Sequence, residues 1–520
     1  MKGLWFKFLW FAFVVALVFS FKPQPAYASY DSEEYFTYVI NMSTGEATIT
    51  GYLDDLAAHG QHDITIPTTI DGHPVKAIGE GAFEGLFELT GVTIPESVTS
   101  IGERAFWFCE FMESVNIPEG VTSIKFKTFS HCIFLASIDI PDSVTSIGAE
   151  AFAECHSLKS VTIPGSVETV GDYAFAYGLD LESVDISYGV KTLGPGAFFH
   201  CKLKNLSIPN SVTSVGEQAF AATGLTSVDI SDSLTSLSDG LFSFCTILTS
   251  VTIPESVTSI GEGVFSDCRA LESLDVPDSV ESIGKGAFSH SGLTDFTIPL
   301  GVNSISENTF WGCRNLTTLA IPDWVQSIGP RAFSGSGLTN LIIPYGVTSI
   351  SDQTCSYCDD LNSVTIPSSV TSIGHWAFRN CGSLTSISAY PMTAPAAEED
   401  EFEGVPSTAQ LRIRSDASGY DQLPWSKFTA VNIFSPSNLV ANLGHILIQR
   451  KPDLQLMDKS LSAKLTSISA YVAVEDQASA IEQLNAFIKQ VTAQSGKKIP
   501  DALARDLMRE AQSIIASFDL

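Results

Sequence analysis

Basic residues are scarce in this chain: 28 Lys and Arg face 58 Asp and Glu, for a net charge of −30 at pH 7. Such a balance repels phosphate backbones and anionic headgroups, which excludes nucleic acid and lipid surfaces as expected partners. Charge of either sign is also low, at 17% of residues against 44% hydrophobic, and this excludes disorder over most of the length. After residue 21 no run is apolar enough to span a bilayer. Catalytic signatures are missing too: there is no G-x-S-x-G, P-loop, dinucleotide fingerprint or H-E-x-x-H. A non-enzymatic protein without cofactor or bound metal is therefore expected. The acidic pairs Asp54-Asp55 and Asp359-Asp360 and the run 398–401 lack the calcium-loop spacing of an EF-hand and read as solvated loops.

The first residues are built for export. Lys2 and Lys7 precede an apolar run over residues 8–21, and Ala26-Tyr27-Ala28 offers small side chains to a signal peptidase. Residues 1–28 are thus expected to be a signal peptide of a secreted or cell-surface protein. Its loss would remove Lys2, Lys7 and Lys22 and take the charge to −33. No cysteine follows the signal, so a lipoprotein anchor is not expected, nor is membrane insertion of the mature chain.

What the chain has in abundance is one string, VTIPESVTSIGERAF at residues 92–106, which returns lightly edited every 22 or 23 residues to about residue 390. Its Ile-Pro mark recurs at Pro95, Pro118, Pro141, Pro164, Pro209, Pro254, Pro277, Pro299, Pro322, Pro344 and Pro367, with Ser187 and Ser231 filling the two gaps. A period this short predicts one coil of a solenoid, each coil burying its apolar residues against the next. Within a coil, Val161 and Ile163 alternate with Ser160 and Thr162, the period of two that a half-buried strand needs. Pro164 ends that strand because it has no N–H to donate. Gly171 marks a corner; since Lys125, Ser238, Ser306 and Ser351 hold the equivalent place, close packing rather than a positive φ explains the glycine.

Two further columns follow from the period. Phenylalanine recurs once per coil, as at Phe152, Phe175 and Phe198, and predicts a buried spine interrupted only by Cys355. Nine cysteines lie three residues after the spine, and the lone C-x-x-C, Cys355 with Cys358, arises because Cys355 replaces the ring. Export invites disulfides, yet Ser, Thr and Gly fill the same column in other coils, as packed thiols would allow; both readings stand. His131, His200 and His290 each follow a spine residue by two positions, without a metal-ligand spacing.

The string IP-x-x-V-x-x-I-G-x-x-A-F-x-x-C resembles the leucine-rich repeats of the BspA type, also called the Treponema pallidum type, over about three quarters of the chain. The resemblance implies a β-rich, right-handed leucine-rich-repeat superhelix with a parallel concave sheet. It also implies adhesion or binding of an extracellular or cell-surface protein, or of a glycan. Residues 29–88 are similar to the family's N-terminal β cap and first coil, 89–390 carry the repeats, and 391–434 resemble its C-terminal capping unit, with Phe402 in the last spine place. Residues 435–520 change character: Leu484, Ile488 and Val491 recur at helical spacing, and Gly496 stops that helix, which predicts a small all-α C-terminal bundle.

Two surfaces are candidates for binding. Outward strand positions form a polar stripe of Asn116, Asp139, Thr162, Asp185, Asp229, Thr252 and Asp275, while Trp107, Tyr177, Phe199, Phe244, Trp311 and Tyr357 scatter just past the spine. A structural spacer that displays or docks the helical module is the alternative to a binding protein.

Overall fold

The computed structural model describes residues 33–53, 63–413, 417–432 and 477–494, with single positions at 464, 467, 468, 507 and 511. The expected signal peptide and Asp54-Asp55 lie outside them. The repeats form a parallel-sheet β-solenoid of about 15 turns.

Each coil is stitched to its neighbours along three edges. At the first, the strand before the proline pairs in parallel with its copy one period on, as Ser160–Ile163 does with Ser183–Ile186, Val161 opposite Val184 and Thr162 opposite Asp185. Val161 and Ile163 are buried, and Ser160 and Thr162 are exposed. The proline then opens a tight turn, in which the Val167 N–H donates to the Pro164 carbonyl at 3.0 Å. Ser231 performs the same step in its coil, accepting from Leu234 N–H at 3.1 Å, so proline is preferred there without being required.

The second edge is a ladder of two-residue strands just after that turn, such as Thr169–Val170 paired in parallel with Ser146–Ile147. The third runs through the spine segment. There Arg104, Phe106 and Phe108 donate their N–H groups to the carbonyls of Phe126, Thr128 and Ser130 in the next coil, at 2.9, 2.9 and 3.0 Å. Arg104 and Phe108 reach their partners with left-handed backbones, φ 54° and 60°. Gly171 is not one of these positions. A Cβ on it would stand 2.5 Å from the Ala149 nitrogen of the preceding coil, so close approach is what excludes a side chain. Where serine takes the same place, as at Ser306, its hydroxyl donates to the Ile283 carbonyl at 2.6 Å.

Between these edges runs the phenylalanine column. Rings from Phe83 to Phe333 stack in sequence, with centroids 5.1 to 6.0 Å apart and planes within 19° of parallel. Cys355 breaks the series, and Phe378 and Phe402 resume it at 5.5 Å. Both ends are closed by aromatics. β1(Phe36–Asn41) and β2(Glu46–Tyr52) form an antiparallel hairpin that brings Phe36 and Tyr52 to 6.5 and 6.4 Å from Phe83. At the other end, Trp425 and Phe428 lie 5.2 and 5.3 Å from Phe402.

All ten cysteines are free and buried. Nine donate S–H to the carbonyl of the spine residue one coil earlier, as Cys109 does to Phe83 at 3.1 Å and Cys381 to Cys355 at 3.1 Å. The thiol column is thus a hydrogen-bonded ladder as well as a packed one. Burial pushes thiols up, to about 12 for Cys155 and Cys201 and about 11 for Cys245 and Cys313, whereas Cys358, beside Cys355 and Ser336, is lowered. A thiol reagent should find none of the ten in the native chain at neutral pH and all ten after unfolding without reductant; a shortfall would reveal a bridge. Because an unfolded thiol ionises near 8.5 while the raised thiols Cys155, Cys201, Cys245 and Cys313 stay protonated, their contribution to stability is intact below that pH. It falls as pH rises toward 11, by about 1.4 kcal/mol per thiol per pH unit.

In the tail, where a small all-α bundle was expected, the described residues show one helix, α1(Gln477–Gln494). Its buried face is Ala480, Leu484, Phe487 and Val491, so Ile488 lies beside the buried stripe rather than in it. The helices expected on either side fall largely outside the described residues. No helix among these is long and apolar enough to cross a membrane.

Candidate interaction surface

The strand ladder places the polar stripe on one face. Asn116, Asp139, Thr162, Asp185, Asp229, Thr252 and Asp275 are all exposed. Register sets Thr162 beside Asp185 and Asp229 beside Thr252. One member is already committed: the Asn116 amide accepts from the Ile94 N–H at 2.7 Å and donates to the Ile94 carbonyl at 2.8 Å. It replaces the backbone pairing that would otherwise continue the ladder. Elsewhere along the coils polar groups also answer one another across a single period, as Lys191 with Glu168 at 2.7 Å and Lys204 with Glu182 at 2.6 Å. Lys204 holds the Glu182 carboxyl below its ordinary range. This face is regular, polar and without a large anchor.

The aromatics sit on a different edge. Trp107, Phe199 and Trp311 occupy the position after the spine ring, and Tyr177, Phe244 and Tyr357 the position after that. Trp107 and Phe199 are half-buried, whereas Phe244 and Tyr357 are 56% and 52% exposed and Trp311 and Tyr177 43% and 39%. Neighbours in the column touch. Phe108 stacks on His131 at 4.2 Å, Tyr177 meets Phe199 edge-on at 5.4 Å, and Trp311 lies 4.5 Å from His290. Lys127 also rests 5.5 Å from the Trp107 ring. Burial lowers the basicity of His131, whose Nδ1 lies 2.9 Å from the Ser130 hydroxyl. The three histidines noted in the sequence are therefore members of this column.

The second position of this column is left-handed in coil after coil: φ is 60° at Tyr177, 61° at Phe244 and 59° at Tyr357, the same region that Gly85, Gly312 and Gly335 occupy in other coils. A left-handed backbone at a residue with a Cβ costs roughly 1 to 2 kcal/mol, and glycine would remove that cost. Tyrosine, phenylalanine and histidine stand there in several coils, and Glu154, Ala222, Asp267 and Asn380 take the same geometry in others, so it is a property of the coil. Sequence spacing located these residues but carried no sign of the strain, which arises from the inter-coil hydrogen bonds described above.

The family model for the BspA type Leucine rich repeat region matches residues 61–180, 168–294 and 281–405. A FIMAH domain model matches residues 455–516. Comparison with curated proteins gives no match. Among solved structures, the chain is similar to a leucine-rich repeat protein from Bacteroides ovatus ATCC 8483, at 26% identity over 76% of this chain and 98% of that one, with a TM-score of 0.50. It is also similar to a leucine rich cell surface protein from Faecalibacterium prausnitzii A2-165, at 29% identity over 71% of this chain and 95% of that one, with a TM-score of 0.45. The T. pallidum leucine rich repeat protein matches at 27% identity over 48% of this chain and 91% of that one, with a TM-score of 0.28. With its repeats matched from residue 61 to residue 405, the chain belongs to the BspA type leucine-rich repeat family.

Proposed function

We propose that this chain is an exported, non-catalytic binding protein that presents the aromatic edge of its solenoid to a protein at or outside a cell surface. The exposure of Tyr177, Phe244 and Tyr357 at one position of their coils, three and then five coils apart on the same edge, carries the reading. Aromatic anchors supply most of the energy of protein interfaces. The polar stripe offers no such anchor. Glycan binding and adhesion remain uses of the same edge, since exposed aromatic rings also stack on sugars.

The test compares binding of the full chain to a panel of extracellular proteins and glycans with that of a variant carrying Tyr177→Ser, Phe244→Ser, Trp311→Ser and Tyr357→Ser. These residues are exposed, so the variant should melt near the parent. Affinity for the captured partner should fall by about tenfold or more, the equivalent of losing one anchor of about 1.4 kcal/mol or more. Asp185→Asn with Asp229→Asn should leave it unchanged. Equal binding by the aromatic variant would move the site elsewhere. The match of residues 455–516 to a separate family supports a second reading, in which the solenoid spaces or displays that module; deletion of residues 435–520 should then abolish localisation while sparing partner binding.

A further inference from the structure

The acidic run at residues 398–401, expected as a solvated loop, is folded against the last regular coil. Its backbone is tied there at both ends. Ala396 accepts from the Ile373 N–H at 2.9 Å, and Glu401 accepts from the Phe378 N–H at 2.9 Å. His375 lies between the two tied residues of the coil, and Glu398 and Asp400 between the two of the loop. Nδ1 of His375 stands 3.0 Å from an Asp400 oxygen, and one donor atom each from His375, Glu398 and Asp400 falls within 4.8 Å of the others. The backbone N–H of His375 donates to Asp352 at 2.9 Å, and its ring lies 4.2 Å from Trp376.

A second observation concerns what lies beneath. Glu401 is only 2% exposed. One of its oxygens accepts from the Glu398 N–H at 2.7 Å, at the base of the same loop, while the other is buried without a hydrogen-bond partner among the described residues. One oxygen of Asp400 is buried and unpartnered as well. A carboxylate taken out of water with an unmet oxygen is costly unless positive charge stands close by. The Arg379 guanidinium, on the same coil, is engaged by Glu403 at 3.0 Å and by the Trp376 ring at 4.2 Å.

We infer that His375, Glu398 and Asp400 bind a divalent transition metal such as Zn2+, clamping the closing loop onto the last coil. One imidazole nitrogen and two carboxylates suit Zn2+ with a water in the fourth place, whereas Ca2+ takes oxygen ligands in larger number. Two ligands of one zinc ion stand no more than about 4 Å apart, so the widest separation here closes by under about 1 Å through partly exposed side chains. The site is independent of the aromatic edge and does not rest on the binding function proposed for it.

Titration of ZnCl2 into the metal-stripped full chain, followed by calorimetry, should show one saturable step above the weak background of an acidic surface. His375→Ala and Asp400→Asn should each weaken that step by about tenfold or more, and Asp359→Asn with Asp360→Asn should not. Excess Ca2+ should fail to displace the ion, and the Co2+ form should show the visible absorption of a nitrogen- and oxygen-ligated site. The His375 and Asp400 variants are partly exposed, and circular dichroism confirms that they fold before titration. Absence of a saturable step in the parent, its survival in His375→Ala, or its displacement by equimolar Ca2+ would each overturn the inference.

Discussion

Phe198→Ala should cost the solenoid about 3 to 5 kcal/mol and split its unfolding into two steps. The ring is fully buried and packs against Phe175 at 5.3 Å and Phe220 at 5.5 Å, nearly parallel to both. Its removal opens a cavity between coils whose backbones are held apart by three hydrogen-bonded edges and cannot collapse to fill it. Because each coil touches only its neighbours, the damage is local in space and interrupts coupling between the two halves. Urea unfolding followed by tryptophan fluorescence and circular dichroism would detect it, since Trp107 and Trp311 report on opposite sides of the lesion. Phe198→Leu, which keeps most of the volume, should cost less. A loss below about 1 kcal/mol with a single transition would show that the spine is not the main source of coupling between coils.

Trp425→Ala should be as damaging, by about 3 to 5 kcal/mol, through a different route. Trp425 is 2% exposed, crosses Phe402 and Tyr420 at 5.2 Å each, and donates its indole N–H to the Pro395 carbonyl at 3.3 Å. It closes the end of the spine, and the adjoining strand Thr429–Asn432 pairs in parallel with Gln410–Ile413 as the last rung of the ladder among the described residues. Without the indole, the final ring and a strand edge are offered to other molecules, so association should accompany the loss of stability. Thermal melting with light scattering measures both. An unchanged melting temperature and a monodisperse variant would place closure of that end in other residues.

Both predictions rest on features that differ in how far the sequence reveals them. The spine is legible because a phenylalanine every 22 or 23 residues can serve only a structure with that period, and strand alternation at Val161 and Ile163 fixes which side is inside. The second ladder was not legible, since two residues such as Thr169 and Val170 are too few to show an alternation. The cysteine column illustrates the same limit. Its spacing declared it buried and left disulfides open, but only the stacking shows each S–H facing the spine carbonyl of the preceding coil.

The candidate surfaces divide along the same line. Spacing alone put Asp185 and Asp229 on an outward face and Tyr177 and Phe244 beyond the spine. It could not show that Asn116 spends its amide on Ile94, because the two are 22 residues apart and meet only when coils stack in register. Nor could it show that Glu401, the last of four acidic residues, turns inward while Glu398 and Asp400 face His375.

The sequence by itself therefore determined the coil, its period, its inner and outer residues and its membership of a repeat family, because each of these is written within 23 consecutive residues. Tertiary structure alone decided which atoms of one coil meet those of the next: the left-handed corners, the thiol ladder, the closed ends and the loop seated on His375. Those pairings follow from the stacking register, a property of neighbouring coils that no single copy of the repeat contains.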